Sequence, residues 1–262
     1  MTVIPALHSE ITAATNRLLA TAAGLSPAGL SAPSNLPGWT RGHVLAHLAR
    51  NADGLLNLLA WARTGVETPQ YPSLAARAAG IEEGAGRTPA EHLADLEDGA
   101  VRLARAIREQ PAQAWSGMVR APRPPWHPAW YVLVRRIREL EIHHADLGAG
   151  YGPADWPAAF VRRELHDCLA SWPYGKSTVG EITLLGEPPH TWRDLGAHAA
   201  APGGRLPAVA GRPVDVLAWL TGRSRGEGIR VVREGHAVPE PPPWLSLPAP
   251  PGLPAAPPDD YP

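Results

Sequence analysis

The first 150 residues of this chain are dominated by long segments in which apolar residues recur at helical spacing. Ile4, Leu7, Ile11 and Leu18 follow this period, which places them on one face of an amphipathic helix. The same period predicts four long helices and one shorter helix, over about 5–23, 41–63, 73–83, 89–108 and 129–147. Such helices must bury their apolar faces against one another, so the sequence predicts a helix bundle.

Capping residues support the predicted helix boundaries. Thr40 and Thr88 precede helical segments and are suited to the N-cap position. Pro89 occupies the first helical position, where a missing N–H costs nothing. Gly148 and Gly150 follow the last segment and are expected to terminate it.

After Gly150 the pattern changes. A helix over about 156–172 is followed by β-like runs at 178–185, 206–211 and 228–233, and Pro213 opens a short helix over 214–221. We therefore expect an α+β protein in three parts. These are a helix bundle over 1–150, a small α+β domain over 151–238 and a proline-rich tail over 239–262.

Charge, hydropathy and cysteine content restrict the function class. The formal net charge is −1, so we expect no nucleic-acid partner. No apolar run approaches the roughly 20 residues of a membrane helix, and no signal-peptide pattern is present, so we expect a cytoplasmic protein without a membrane partner. The single cysteine, Cys168, excludes an intramolecular disulfide and a cysteine-rich zinc site, and we expect it to be buried and inert.

Candidate metal ligands are concentrated in the segment 138–147, RELEIHHADL. Glu139 and His143 are four residues apart, so both can point at one spot from a helix. His43 and His47 have the same spacing in an upstream helix. Two imidazoles with one carboxylate form an open donor set that suits zinc or another first-row ion. The pattern allows either His47 or both His43 and His47 to join Glu139 in such a set.

Simpler interpretations of these residues also exist. Glu139 could form an ordinary helix-surface pair with Arg135 or Arg136, and His143 could be solvated or lie in the core. Adjacent residues on a helix point in different directions, so His143 and His144 do not easily face the same ion. Further candidate ligands in this segment are Glu141, His144 and Asp146.

Several motifs, in one order, resemble the mycothiol-dependent maleylpyruvate isomerase family. Residues 37–49, PGWTRGHVLAHLA, are similar to the start of that family's second helix. Residues 138–148, RELEIHHADLG, look like its motif R-E-x-x-x-H-x-x-D-L-G. Further similarities cover 61–69, 114–116 and 238–245, so the resemblance extends over nearly the whole chain. It implies a DinB-like four-helix bundle followed by a small C-terminal domain of sterol-carrier-like fold.

The resemblance also implies a site. It places the family's metal ligands on His47, Glu139 and His143, with zinc or another divalent first-row ion as the metal. Glu141, His144 and Asp146 are then left with supporting or solvent-facing roles. Arg223, in the stretch 217–223, matches an arginine that is thought to face the active site. We expect it to anchor a substrate carboxylate, although it could instead be a surface arginine after a helix.

The implied activity is mycothiol-dependent cis–trans isomerisation of maleylpyruvate or a similar unsaturated oxo-acid. Mycothiol would be the thiol cosubstrate, and its metal-stabilised thiolate would add to the double bond, allow rotation and then leave. Two alternatives are a mycothiol S-transferase that conjugates electrophiles and a non-catalytic metal-binding module. The expected partners are a small-molecule substrate and mycothiol, bound by a monomer or a homodimer.

Overall fold

The computed structural model describes residues 2–197, 206–232, 237–243 and 249–262. Arg233, from a predicted strand, and Trp244 and Leu245, from the family resemblance, lie outside these ranges. The chain divides into two compact units. The first comprises Met1–Gly152 with Gly252–Tyr261, and the second comprises Pro153–Pro251 with Pro262.

Four long helices and two shorter ones build the first unit. The bounds are α1 Ile4–Ala23, α2 Pro27–Ser31, α3 Arg41–Thr64, α4 Leu74–Ala85, α5 Pro89–Glu109 and α6 Tyr131–Asp146. The long helices α1, α3, α5 and α6 pack against one another, and the shorter α4 packs on α3. All five predicted helices are present, with ends within about two residues of the prediction, whereas the loop predicted after the first helix contains the five-residue α2.

Capping boxes fix the starts of α3 and α5. The Thr40 hydroxyl accepts from the backbone N–H of His43, and the His43 ring accepts from the backbone N–H of Thr40. Thr88 and Glu91 form the same reciprocal pair at the start of α5. Both threonine caps are as predicted, and the cap at Thr40 engages Nδ1 of the His43 ring in hydrogen bonding.

Small residues bring α4 close to α3. A Cβ atom on Gly42 would lie 2.3 Å from the carbonyl oxygen of Ala85. A Cβ atom on Gly84 would lie 2.8 Å from the Cβ of Ala46. A side chain at either of these two glycines would push the helices apart. Because glycine has no side chain, α4 can lie directly against the part of α3 that carries His47.

A short antiparallel hairpin precedes α6. Its strands are β1 Met118–Arg120 and β2 Trp126–Pro128, with Val119 opposite His127. Trp130 and Tyr131, at the start of α6, are fully buried. The hairpin and these aromatic residues fix where α6 begins.

Part of the predicted proline-rich tail belongs to the first unit. The segment Gly252–Tyr261 packs on it, and the indole N–H of Trp130 donates to the carbonyl of Pro254 at 2.9 Å. The buried ring of Tyr261 meets the Trp130 ring edge-on, with centroids 5.1 Å apart. The composition predicted a tail because proline disfavours regular structure, but irregular segments can still pack through aromatic contacts.

The second unit is a small α+β arrangement, so the α+β class is confirmed. The elements are α7 Ala158–Ala170, β3 Glu181–Leu184, β4 His190–Trp192, β5 Ala208–Gly211, α8 Pro213–Leu220 and β6 Arg230–Val231. Cys168 in α7 is fully buried, as predicted. The sheet has the order β4-β3-β5-β6, in which β3 pairs antiparallel with β4 and parallel with β5, and β5 pairs antiparallel with β6. No helix within the described ranges combines the length and apolar character needed to cross a bilayer.

Candidate metal centre

Two packed helices, α3 and α6, supply three candidate metal ligands. His47 lies on α3, and Glu139 and His143 lie one turn apart on α6. One potential ligand atom from each of the three lies within 4.8 Å of the other two. Among the described residues this is the group of His, Cys, Asp and Glu side chains that could hold a metal ion. The sequence pattern left two ligand sets open, and the geometry brings together the one that contains His143.

One carboxylate oxygen is the focus of the group. Nε2 of His47 lies 2.9 Å from Oε2 of Glu139, and Nε2 of His143 lies 3.3 Å from the same oxygen. The side chain of His47 is 4% exposed, whereas those of Glu139 and His143 are 25% and 20% exposed. The group is therefore anchored on its α3 side and reachable by a small molecule on its α6 side.

The second nitrogen of each imidazole has its own partner. Nδ1 of His143 lies 2.8 Å from Oδ2 of Asp146, a buried carboxylate. Nδ1 of His47 lies 3.2 Å from Nη2 of Arg77 on α4. A carboxylate behind a histidine fixes the ring so that the other nitrogen can bind a metal. This donor set of two imidazoles and one carboxylate fits a divalent first-row ion with coordination positions left for another ligand.

The surroundings separate the pKa values of the three groups. Burial lowers the pKa of His47 to about 4, so this ring is neutral at pH 7. Burial also opposes a charged His143, but hydrogen bonds with Asp146 and Glu139 outweigh it and raise the pKa of His143 to about 8. Burial alone would raise the pKa of Glu139, yet the hydrogen bonds with His143 and His47 hold it well below its usual value. Glu139 is thus ionised at neutral pH.

Two buried arginines precede Glu139 on α6. The guanidinium of Arg135 donates to Oε1 of Gln70 at 2.9 Å, and that of Arg136 donates to the carbonyl of Leu48 at 2.9 Å. Burial lowers the pKa of Arg136 to about 10, which leaves it charged at neutral pH. The predicted alternative of a surface pair with Glu139 is wrong, because both arginines are buried and donate hydrogen bonds to other groups. They nevertheless add positive charge near the candidate ligands.

Aromatic rings lie beside His47 and beside its partner Arg77. The Trp39 ring meets the His47 ring edge-on, with centroids 5.7 Å apart. The guanidinium carbon of Arg77 lies 5.8 Å from the centroid of Tyr71. A Cβ on Gly54 would lie 3.1 Å from the Tyr71 ring, so this glycine allows the ring to pack closely on α3.

The comparison with known families agrees with this geometry. Residues 11–148, more than half of the chain, match the family described as the mycothiol maleylpyruvate isomerase N-terminal domain. The chain belongs to the mycothiol-dependent maleylpyruvate isomerase family. The matched range includes His47, Glu139 and His143, and the family resemblance predicted from the motifs is confirmed.

Two solved structures extend the similarity beyond this domain. A crystal structure of the mycothiol-dependent maleylpyruvate isomerase is 32% identical to this chain, with a TM-score of 0.76, and the match covers 91% of this chain and 96% of that one. A crystal structure of a histidine-to-alanine mutant of the mycothiol-dependent maleylpyruvate isomerase is 31% identical, with a TM-score of 0.77 and the same coverage. No curated protein sequence is significantly similar to the chain.

The remaining histidine candidate on α3 of this maleylpyruvate isomerase family member has a different role. The Nδ1 atom of His43 lies 2.7 Å from the Thr40 hydroxyl, and its Nε2 atom lies 3.3 Å from Oε2 of Glu82. The rival ligand set of His43, His47 and Glu139 is therefore not assembled.

Glu141 and His144, two of the other candidates on α6, face α1 and are buried. Glu141 pairs with Arg17 and accepts from the Tyr151 hydroxyl. Nε2 of His144 lies 2.8 Å from the hydroxyl of Thr21. Supporting roles fit these residues and Asp146, but the predicted solvent-facing alternative is wrong, because Glu141, His144 and Asp146 are each 2% exposed.

Arg223, the predicted carboxylate anchor, lies in the second unit just after α8. Its Nη1 donates to the carbonyl of Thr221 at 2.6 Å, and its backbone N–H donates to the carbonyl of Ala218 at 2.7 Å. Gly222 adopts a φ of +71°, which completes the turn before it. The role of Arg223 toward a substrate stays a prediction.

Sequence reasoning missed one functional candidate, Arg77, and left the supporting role of Asp146 unspecified. The spacing of three residues between His143 and Asp146 is itself a signal for an orienting carboxylate. Arg77 gave no local signal, because it lies on a helix that contains none of the candidate ligands. Only the packing of α4 on α3 places it beside His47.

Proposed function

We propose that this protein is a metal-containing, mycothiol-dependent isomerase that converts the cis isomer of maleylpyruvate, or a closely similar unsaturated oxo-acid, into the trans isomer. The observation that carries the proposal is the convergence of His47, Glu139 and His143 within 4.8 Å in a chain of this family. The two similar solved structures are named for a mycothiol-dependent maleylpyruvate isomerase, which supports the same reaction here.

The three ligands would hold zinc or another divalent first-row ion. When bound, such an ion stabilises the deprotonated form of a thiol, which is mostly protonated when free at neutral pH. The chain itself has a poor source of sulfur, because its single cysteine, Cys168, is fully buried. The nucleophile must then come from a cosubstrate, and mycothiol is the thiol that the family uses.

The reaction needs no oxidant or reductant. The thiolate sulfur adds to one alkene carbon, a C–S bond forms, and the π electrons move onto the conjugated oxo group as an enolate. The former double bond is now single and rotates. The electrons then return, the C–S bond breaks, and the thiolate leaves with the alkene in the trans form. The thiol is regenerated in every cycle.

The residues around the ligands have defined tasks in this proposal. Asp146 holds the His143 ring in one orientation, with Nε2 directed at Glu139. The charges of Arg135 and Arg136 favour an anionic substrate over a neutral one. Following the family resemblance, we also assign a substrate carboxylate to Arg223, and we expect an Arg223→Gln variant to raise KM for maleylpyruvate.

An absorbance assay of maleylpyruvate with the zinc-loaded protein tests the proposal. We expect turnover that requires mycothiol, a loss of about 100-fold or more in His47→Ala, and wild-type activity in His190→Ala, a matched change at an exposed position on β4. Unchanged activity in His47→Ala would refute the site assignment. The concentration of free thiol should stay constant during turnover. Its stoichiometric loss would instead identify an S-transferase, and metal binding without any thiol-dependent reaction would identify a non-catalytic module.

A further inference from the structure

The guanidinium of Arg77, on α4, contacts the imidazole ring of His47. Its Nη2 atom lies 3.2 Å from Nδ1 of His47. Its guanidinium carbon lies 5.8 Å from the centroid of the Tyr71 ring. Within the described part of the chain, no carboxylate forms an ion pair with Arg77. In the described part of the chain, this positive charge thus contacts two rings rather than a carboxylate.

The contact between Arg77 and His47 fixes where the imidazole proton lies. A guanidinium can only donate hydrogen bonds, so Nδ1 of His47 must be the acceptor. The proton of the neutral ring is then on Nε2, from which it points at Oε2 of Glu139, 2.9 Å away. This arrangement gives both nitrogens of the His47 ring a hydrogen-bond partner.

Binding of a metal through Nε2 of His47 requires the ring proton to lie on Nδ1 instead of Nε2. Nε2 is the His47 nitrogen aimed at Glu139, and a neutral imidazole that binds a metal through Nε2 carries its proton on Nδ1. An Nδ1–H group and a guanidinium are both donors, so they cannot share a hydrogen bond. The contact between Arg77 and His47 and the ligation of a metal by His47 are mutually exclusive.

We propose that metal binding releases Arg77 from His47 and that the freed guanidinium then binds a carboxylate group of the substrate beside the metal. This inference rests on the proposed function, because it assumes that His47 is a metal ligand. The planar fork of a guanidinium binds a carboxylate through two parallel hydrogen bonds. Arg77 would thus be a substrate-binding residue whose availability depends on the metal.

The packing keeps Arg77 within reach of the centre after its release. The close contacts of Gly42 with Ala85 and of Gly84 with Ala46 hold α4 against α3. The ring of Tyr71 lies beside the guanidinium and packs closely on α3 at Gly54. Since the helix and the ring are fixed, release requires only a change of side-chain rotamer in Arg77.

A purely supporting role for Arg77 gives the opposite expectation for metal affinity. If Arg77 held His47 in place for the metal, Arg77→Gln would weaken zinc binding. If Arg77 must leave before the metal can bind, Arg77→Gln keeps or increases the affinity for zinc while the affinity for a carboxylate falls. The two measurements together separate the roles.

The experiment uses the full chain and maleate, a dicarboxylate that can be titrated without turnover. Calorimetry of the zinc-loaded protein should show that Arg77→Gln binds maleate about tenfold or more weakly, whereas Arg105→Gln, a change at an exposed position on α5, binds it as the wild type does. Chelator competition should give Arg77→Gln a zinc affinity equal to or higher than that of the wild type. Dimethyl maleate, which lacks the charge, should show no dependence on Arg77.

Either of two results would overturn the inference. One is equal maleate affinity in the zinc-loaded wild type and Arg77→Gln, and the other is weaker zinc binding by a folded Arg77→Gln, with folding checked by its unfolding temperature. Failure of the proposed function is distinguishable, because the titrations need no catalysis. A wild type that binds maleate through Arg77 but does not isomerise maleylpyruvate would refute the isomerase assignment alone.

Discussion

Nδ1 of His143 lies 2.8 Å from Oδ2 of Asp146, three residues further along α6. Asp146 is 2% exposed, and its backbone carbonyl accepts from the N–H of Asn35 at 2.8 Å, which ties the end of α6 to the loop before α3. This buried carboxylate directs Nε2 of His143 toward Glu139. Two of the three candidate ligands and the orienting carboxylate therefore lie within about two turns of a single helix.

An Asp146→Asn variant tests this relationship. The amide keeps the size of the side chain but loses the charge that orients His143, so we expect zinc to bind about 10–100-fold more weakly. Chelator competition measures the affinity. Asp98→Asn, at the ion pair between Asp98 and Arg102 on α5, is the control and should bind zinc as the wild type does. Equal affinity in Asp146→Asn would show that the carboxylate does not orient the ligand.

Metal removal should lower thermal stability. In the proposed site zinc would bind the folded arrangement of His47, Glu139 and His143, so a free zinc concentration of about 100 times Kd should stabilise the protein by about 2.7 kcal/mol. For a chain of this length that corresponds to a rise in Tm of about 5–10 °C. Differential scanning calorimetry with zinc and after chelation measures the change. The same addition should leave the Tm of His47→Ala nearly unaltered, and a full rise in that variant would contradict the ligand assignment.

The contact between α3 and α4 should not tolerate a methyl group. In Gly42→Ala the new Cβ would lie 2.3 Å from the carbonyl oxygen of Ala85, which is backbone and cannot rotate away. We expect a loss of about 1–3 kcal/mol in the free energy of unfolding, measured by urea titration. Gly86→Ala is the matched control, because its Cβ would meet nothing within 4 Å and its φ is −85°. It should be neutral or stabilise by up to about 1 kcal/mol.

His127 should make the protein sensitive to acid. Burial and the nearby charge of Arg135 lower the pKa of His127 to about 3, compared with 6.5 for the unperturbed side chain. The unfolded chain binds the proton first, so the stability from the neutral ring is present above pH 6.5 and is lost as the pH falls from 6.5 toward 3. Between pH 7 and pH 5 this loss is about 2 kcal/mol.

Urea titrations at these two pH values measure the effect. His127→Gln should show a smaller decrease in stability between them than the wild type, because glutamine does not titrate. His190→Gln, at an exposed position, should keep the wild-type decrease. The same decrease in His127→Gln as in the wild type would exclude His127 as the source.

Local chemistry explains what could be predicted from the sequence. The 3.6-residue period of apolar side chains located the five longer helices of the first unit, and Thr40 and Thr88 marked two of their starts. The spacing of Glu139 and His143 is also local, since four residues of helix always bring two side chains to one face. Among the missed elements, α2 and β4 are only five and three residues long, and such short segments show no readable period.

Local chemistry could not choose between the two histidines of α3. His43 and His47 lie on one helix, and each stands between a small residue and an apolar residue in the sequence. Their fates differ because His43 lies in the first turn, where it joins the cap with Thr40, while His47 faces Glu139 across the packed helices. The family resemblance pointed to His47. The physical reason is that, in the packing of α3 on α6, His47 and not His43 faces Glu139.

The sequence by itself determined the helices, their caps, the α+β class and the pair Glu139 and His143, because each depends on residues within a few positions of one another. Tertiary structure alone decided that the pair meets His47, that Arg77 donates to the far side of that ring, and that Arg135 and Arg136 are buried. These features depend on which faces of separate helices pack together. Glycines such as Gly42 and Gly84 allow that packing, but their effect appears only when two distant parts of the chain meet.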